Sequence, residues 1–199
     1  IPMAAMGMPI AVYLPRFYSE GMGLSLITVG TVFFIARIWD VVTDPIMGVV
    51  IDKFDSRWGR RKHWIALSIP ILLLSVWMVF MPDPVHVSGF YLAFWLILLY
   101  LGYTMLAISH QSWGVELSKS YDDRSRLFGW REIFVIGGMA IVLAIPAAME
   151  LSGQSEQAAK VASMGWFCLI LFPLLAIPTL LWVPDSHSKP GVAIPWRDA

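Results

Sequence analysis

Six stretches of apolar sequence, each about 20 residues or longer, leave this chain one environment in which to fold. A helix of that length, rising about 1.5 Å per residue, crosses roughly 30 Å of hydrocarbon. Segments at about 1–19, 25–51, 63–81, 88–116, 130–149 and 161–183 meet the requirement. Composition agrees: 58% of the 199 residues are hydrophobic, mean hydropathy is +0.69, and 14% are charged, against roughly 25% in soluble domains. The expected fold is an all-α membrane protein, with the lipid bilayer as its first partner.

Little sequence remains between the spans: "EGMG", "DKFDSRWGRR", "PDPVHVS", the polar run from Leu117 to Phe128, and "LSGQSEQAAK". Pro82 and Pro84 end the third span, because proline removes a backbone donor and restricts its predecessor. Pro9, Pro15, Pro45, Pro146, Pro173 and Pro178 lie inside or near span ends, where they bend helices rather than abolish them. The chain opens on "IPMAAMGMPI", without an initiator methionine, a leader pattern or a flank before the first span, so residues preceding Ile1 are expected. Residues 1–185 form the expected bundle; 186–199, "SHSKPGVAIPWRDA", read as a cytoplasmic linker or a chain cut short.

Fourteen basic and fourteen acidic residues cancel, which removes any case for nucleic acid and leaves the information in placement. Lys53, Arg57, Arg60, Arg61 and Lys62 follow span two, Lys119, Arg124 and Arg126 follow span four, and Lys189 and Arg197 lie in the tail. The opposite side holds only Lys160 and Arg16. The positive-inside rule then predicts both termini in the cytoplasm. Small residues in spans one and two (Ala4, Ala5, Gly7, Ala11, Gly30, Ala36 and Gly48) suit close helix contact. Trp64, Trp77, Tyr91, Trp166 and Trp182 sit near span ends as interfacial anchors. The lone Cys168, inside an apolar run, reads as helix filler.

Span two carries the unusual chemistry. In "ARIWDVVTDPIMG", Asp40 and Asp44 are four residues apart and Arg37 lies three before Asp40, so all three share one helical stripe. A charge near the bilayer centre costs about 2.5–3.5 kcal/mol, and three facing lipid would overwhelm packing. They are expected to face the bundle interior or a wet cavity. Two adjacent carboxylates repel unless a cation, a shared proton or Arg37 offsets them, so the pair can take up a proton or ligate a small hard cation such as sodium. The bland reading is an Arg37–Asp40 ion pair that only orients helices, but it leaves Asp44 unexplained. Pro45 adds a bend beside the acids.

Span four presents Thr104, Ser109, His110, Gln111, Trp113 and Glu116 in an otherwise apolar helix, and Arg131 opens span five. Arg131 either reaches a cavity or snorkels to the surface; His110 either binds substrate or proton, or ties helices together. His63 reads as interfacial. After span two, Asp52, Arg57, Gly59, Arg60 and Arg61 combine an acid at a helix end, a turn glycine and a basic cluster. Asp52 can accept from Arg57 or Arg61 and hold one gate conformation, while the arginines enforce topology. The mixed charges of "ELSKSYDDRSRLFGWRE" suit bonds within the loop more than a lipid patch. There is no Walker loop, HExxH motif or nucleophile triad, and His110 and Glu116, six apart, lie on different helix faces. An enzyme is not expected.

"RIWDVVTDPIMGVVID", "SRWGRRKHWI" and "ELSKSYDDRSRLFGWR" together resemble the glycoside–pentoside–hexuronide:cation symporters, the melibiose-carrier-like branch of the major facilitator superfamily, over about residues 1–185. The resemblance implies the amino-terminal six-helix half of a twelve-helix carrier, with solute held between halves. Asp40 and Asp44 then match cation-site carboxylates, and Arg37 the arginine beside them; with sodium, Asp40 and Asp44 are its metal ligands. Arg131 matches a sugar-binding arginine and Trp113 a helix-four aromatic; Ser109 and His110 complete the expected solute set. Two sugar-contacting acids of the melibiose carrier appear here as Ala4 and Ser109, so the cation machinery looks retained while melibiose recognition does not.

The resulting expectation is cation-coupled symport of a sugar, glycoside or other small organic solute. Sodium or a proton is the coupling ion, no cofactor is required, and the membrane is the bacterial cytoplasmic membrane. The second six-helix half would come from the same chain, a separate chain or a homodimer. The alternative is a non-transporting interaction module or degenerate half carrier.

Overall fold

The computed structural model describes residues 6–54, 56, 59, 61–117, 120–154 and 156–183. They form an all-α bundle of six helices: α1 (residues 6–21), α2 (Leu26–Lys53), α3 (Lys62–Phe80), α4 (Gly89–Leu117), α5 (Tyr121–Leu151) and α6 (Gln157–Trp182). This is the architecture of the amino-terminal half of a major facilitator type transporter. Helices α2 to α6 are each long and apolar enough to cross a membrane.

Proline shapes α1. The stretches Pro9–Tyr13 and Phe17–Gly21 are wound as π-helix, with an α-helical Leu14–Arg16 between them. Pro9 and Pro15 cannot donate to the ladder, and the wider turn lets Leu14 and Met22 bond five residues back, to the carbonyls of Pro9 and Phe17. In α2, α3, α5 and α6, prolines 45, 70, 146, 173 and 178 lie within continuous helix.

Helix ends follow local chemistry. Ser25 caps α2 by accepting from the Thr28 N–H at 3.1 Å. Ser120 caps α5 through the Asp123 N–H at 3.1 Å, with Asp122 and Asp123 in the first turn where the helix dipole favours acids. Hence α5 begins at Tyr121 rather than near 130, and the run expected as loop is largely its first turns. Between α3 and α4, the Asp83 side chain accepts from the Val85 N–H at 3.1 Å and pairs with His86 at 3.2 Å. The backbone bond first, and His86 second, hold its carboxyl below the usual range.

Helix α4 is the centre of the bundle. It packs along α3 and α2; α3 also lies on α6, which carries α5 and touches α1. Leu92, Leu96, Leu99, Leu106 and Trp113 recur along α4 at helical spacing and are buried against Leu72, Val76 and Val79 of α3. Tyr18 is fully buried and donates to the Val79 carbonyl at 2.9 Å, which fixes α1 to α3. The close helix contacts differ from those expected. A Cβ on Gly7, Gly30 or Gly48 would meet nothing within 4 Å, whereas one on Gly102 would lie 3.0 Å from Leu72 and one on Gly165 2.6 Å from the Cβ of Phe80. The small residues that bring backbones together are thus on α4 and α6, with only Ala36 of the α2 set fully buried.

Candidate functional site: a carboxylate pair between α2 and α4

Arg37, Asp40 and Asp44 lie on one stripe of α2, and α4 lies across from it. Arg37 Nη1 donates to Asp40 Oδ2 at 3.0 Å within the helix. The Asp40 side chain is 15% exposed and that of Arg37 is 69% exposed, so the acid turns inward and the guanidinium outward. From α4, the Thr104 hydroxyl lies 2.8 Å from Asp44 Oδ1 and 3.2 Å from Asp40 Oδ1. One turn earlier, the Tyr100 ring lies under Arg37, 5.7 Å from its guanidinium carbon. Tyr100 and Thr104 therefore form the α4 side of the site: Tyr100 lies against Arg37, and Thr104 meets both Asp40 and Asp44.

The arithmetic of donors is informative. A threonine hydroxyl carries one proton, so it can satisfy only one carboxylate fully at a time. Arg37 supplies one positive charge and, among the described residues, its ionic bond is to Asp40. With both acids ionised the cluster holds two negative charges and one positive, and its carboxylate oxygens outnumber the donors the described residues bring to them. Thr43 adds rigidity: its hydroxyl bonds the carbonyls of Trp39 and Asp40 at 2.9 and 3.2 Å, just ahead of Pro45.

The solute set is less gathered. Ser109 is fully buried and Trp113 is 2% exposed, both in the core of the bundle; Lys62 Nζ sits 5.7 Å above the Trp113 ring. His110 is half-buried. Arg131 pairs with Glu132 at 3.2 Å and stacks on Phe128 at 5.8 Å, both neighbours on its own helix. Tyr103 lies within electrostatic reach of Arg131, Arg37, Asp40 and Asp44 together, and His110 within reach of Arg131.

At the other end of α2, Arg61 is nearly fully buried. Its Nε and Nη2 donate to Glu116 Oε1 of α4 at 3.1 and 3.0 Å, and its Nη1 lies 2.7 Å from Asp52 Oδ1. Gly59 takes φ +104, a conformation that favours glycine, and His63 Nδ1 bonds its carbonyl at 2.8 Å. Arg57 and Arg60 of the expected gating set, and Ala4 of the solute comparison, lie outside the described residues.

In the sequence Thr104 and Glu116 are legible only as polar residues of an apolar span, and Tyr100 carries no signal. The signal available for Tyr100 and Thr104 is their four-residue spacing on one face of α4. Among the described residues, no group of three or more His, Cys, Asp or Glu side chains is arranged to hold a metal ion.

A six-helix all-α bundle, five of whose helices are long and apolar enough to cross a membrane, with Asp40 turned inward and the more exposed Asp44 held to the same threonine, fits an integral membrane protein of the transporter class. The MFS/sugar transport protein family matches residues 1–192, and the chain belongs to it. It is 27% identical over 190 residues to the isoprimeverose transporter of Lactiplantibacillus pentosus, covering 92% of this chain and 38% of that protein. It is 27% identical over 172 residues to the inner membrane symporter YicJ of Escherichia coli K12, covering 84% of this chain and 37% of that protein. The putative glycoside/cation symporter YagG of the same organism is 27% identical over 161 residues, 79% of this chain and 34% of that protein. The chain thus spans well under half the length of these relatives.

Proposed function

We propose that this chain is the amino-terminal half of a cation-coupled symporter of the glycoside–pentoside–hexuronide type, moving a sugar, glycoside or other small organic solute with sodium or a proton. The observation that carries the reading is the pair of acids between α2 and α4: Asp40 and Asp44 share a single threonine hydroxyl, and the Arg37 guanidinium bonds Asp40. A monovalent cation entering among Asp40 Oδ1, Asp44 Oδ1 and Thr104 Oγ1 balances the cluster, and its departure restores the imbalance. A hard cation would find oxygen ligands there, and a proton would find a carboxylate oxygen already within hydrogen-bond reach of Thr104. The names of the relatives, an isoprimeverose transporter and a putative glycoside/cation symporter, favour a sugar-like solute.

The bare ion-pair reading accounts for less. Arg37 and Asp40 are three residues apart on one helix, so their bond cannot by itself hold one helix against another. In this reading Arg37 is a counter-ion that stays with Asp40 while the coupling ion exchanges at Asp44. Solute would lie between this half and a second six-helix half, with Arg131, Tyr103 and His110 nearest the acids. Rocking of the two halves would expose the site alternately to each side of the bacterial cytoplasmic membrane, with both termini in the cytoplasm. The test is uptake by the complete carrier under imposed sodium and pH gradients. Asp44→Asn should abolish gradient-driven accumulation while leaving downhill solute exchange; accumulation at the unmodified level in that variant would refute the assignment.

A further inference from the structure

The first turn of α3 and the last turns of α6 enclose a groove of about 410 Å³ lined by Ala66, Ile177, Leu180 and Leu181, with Lys62 at its mouth. It lies away from the carboxylate pair: α2 packs chiefly on α4, whereas this groove belongs to the α3–α6 contact. Ala66 leaves the room, and the α6 side chains form an apolar wall that water does not favour.

Lys62 is the one charge on this groove among the described residues. Its neighbour Arg61 is neutralised by Glu116 and Asp52, but Lys62 makes no ion pair among the described residues; its ammonium rests on the face of Trp113, 5.7 Å from the ring centroid. Helix α3 begins at Lys62 and no side chain caps it, so the dipole adds positive potential at the same point. An apolar slot that ends at an unpaired ammonium, at the end of a membrane helix, matches the form of an amphiphile with an acidic head and a hydrocarbon tail.

We infer that this groove is a binding site for an anionic glycerophospholipid: one acyl chain lies along Ala66, Ile177, Leu180 and Leu181, and the phosphate meets Lys62. The fit is by charge as well as shape. A zwitterionic lipid could fill the same slot but would bring a cationic group towards Lys62 and the α3 N-terminus, so the site prefers a headgroup of net negative charge. The inference depends on the helices being embedded in lipid and not on the transport cycle.

Native mass spectrometry of the complete carrier, exchanged from phosphatidylcholine micelles supplemented with phosphatidylglycerol, reads the site directly. The unmodified protein should retain phosphatidylglycerol in preference to phosphatidylcholine. Lys62→Gln should weaken that retention about fivefold, and Lys62→Arg should restore it. Ala66→Phe, which fills the slot without touching the charge, should lower retention of the same lipid, and it serves as the independent test if Lys62→Gln fails to yield folded protein. Equal retention of the two lipids by the unmodified protein, or phosphatidylglycerol retention unchanged in both Lys62→Gln and Ala66→Phe, would overturn the site.

Discussion

Thr104 of α4 holds its hydroxyl 2.8 Å from a carboxylate oxygen of Asp44 and 3.2 Å from one of Asp40, so a single neutral side chain joins both acids of the preceding stripe to the central helix. That bridge makes the two carboxylates one unit.

Thr104→Val keeps the shape of the side chain and removes the oxygen. A hydrogen bond to a charged group is worth about 1.5–3 kcal/mol, so apparent affinity for the coupling ion should fall by about tenfold or more, whereas Thr104→Ser should stay near the unmodified value. The check is the sodium or proton concentration for half-maximal solute uptake by the complete carrier. An unchanged half-maximal concentration in the valine variant would remove Thr104 from the coupling site.

How far these arrangements were legible beforehand depends on whether they lie within one helix or between two. Arg37, Asp40 and Asp44 share a stripe by spacing alone, and hydropathy marks six helices because lipid imposes a length on each. Thr104, Tyr100 and the Arg61–Glu116 bond required the register of α4 against α2 and α3, which no single-helix periodicity contains. Hydropathy alone starts α5 near 130 because its first turns are charged and precede the apolar stretch, with Ser120 as the cap. Glycine content showed that close contacts occur without showing where: Gly30 faces open space and Gly165 touches α3.

That contrast between glycines gives a stability test. A Cβ at position 165 would lie 2.6 Å from the Cβ of Phe80, an atom fixed to the α3 backbone, so Gly165→Ala must push α6 away from α3. Overpacking of this kind costs about 1–3 kcal/mol. Gly30→Ala, with nothing within 4 Å, should be neutral or stabilising by up to about 1 kcal/mol through helix propensity. Thermal unfolding of the detergent-solubilised chain should therefore separate the two in opposite directions. Equal shifts would show that the α3–α6 contact does not depend on the missing side chain.

Arg61 and Glu116 should behave as a coupled pair. The arginine side chain is 5% exposed and the glutamate 15%, and removing one member of such a pair costs about 3–5 kcal/mol, while replacing both by apolar groups is far milder. Arg61→Met and Glu116→Leu should each lower the unfolding temperature, and the double variant should recover part of the loss. A double-mutant cycle should give a coupling of about 0.5–3 kcal/mol. Strict additivity would mean that the two bonds seen between α3 and α4 contribute nothing to holding the helices together.

Arg131 separates a binding role from a structural one because its contacts are all local. Its bond to Glu132 and its stacking on Phe128 are within α5, so truncation removes no tie between α5 and the rest of the described bundle. Exposed ion pairs of this kind are worth about 0–1 kcal/mol, and Arg131→Ala should leave the unfolding temperature of the chain almost unchanged. On the proposed function, however, the guanidinium would offer a planar set of donors to solute oxygens in the complete carrier, and its loss should weaken solute binding by about tenfold or more. Solute protection against thermal unfolding, screened over sugars and glycosides, provides the ligand and then the affinity ratio. If Arg131→Ala instead loses folded protein while any surviving fraction binds solute normally, the arginine belongs to the scaffold, and the solute path must be drawn through Tyr103 and His110 without it.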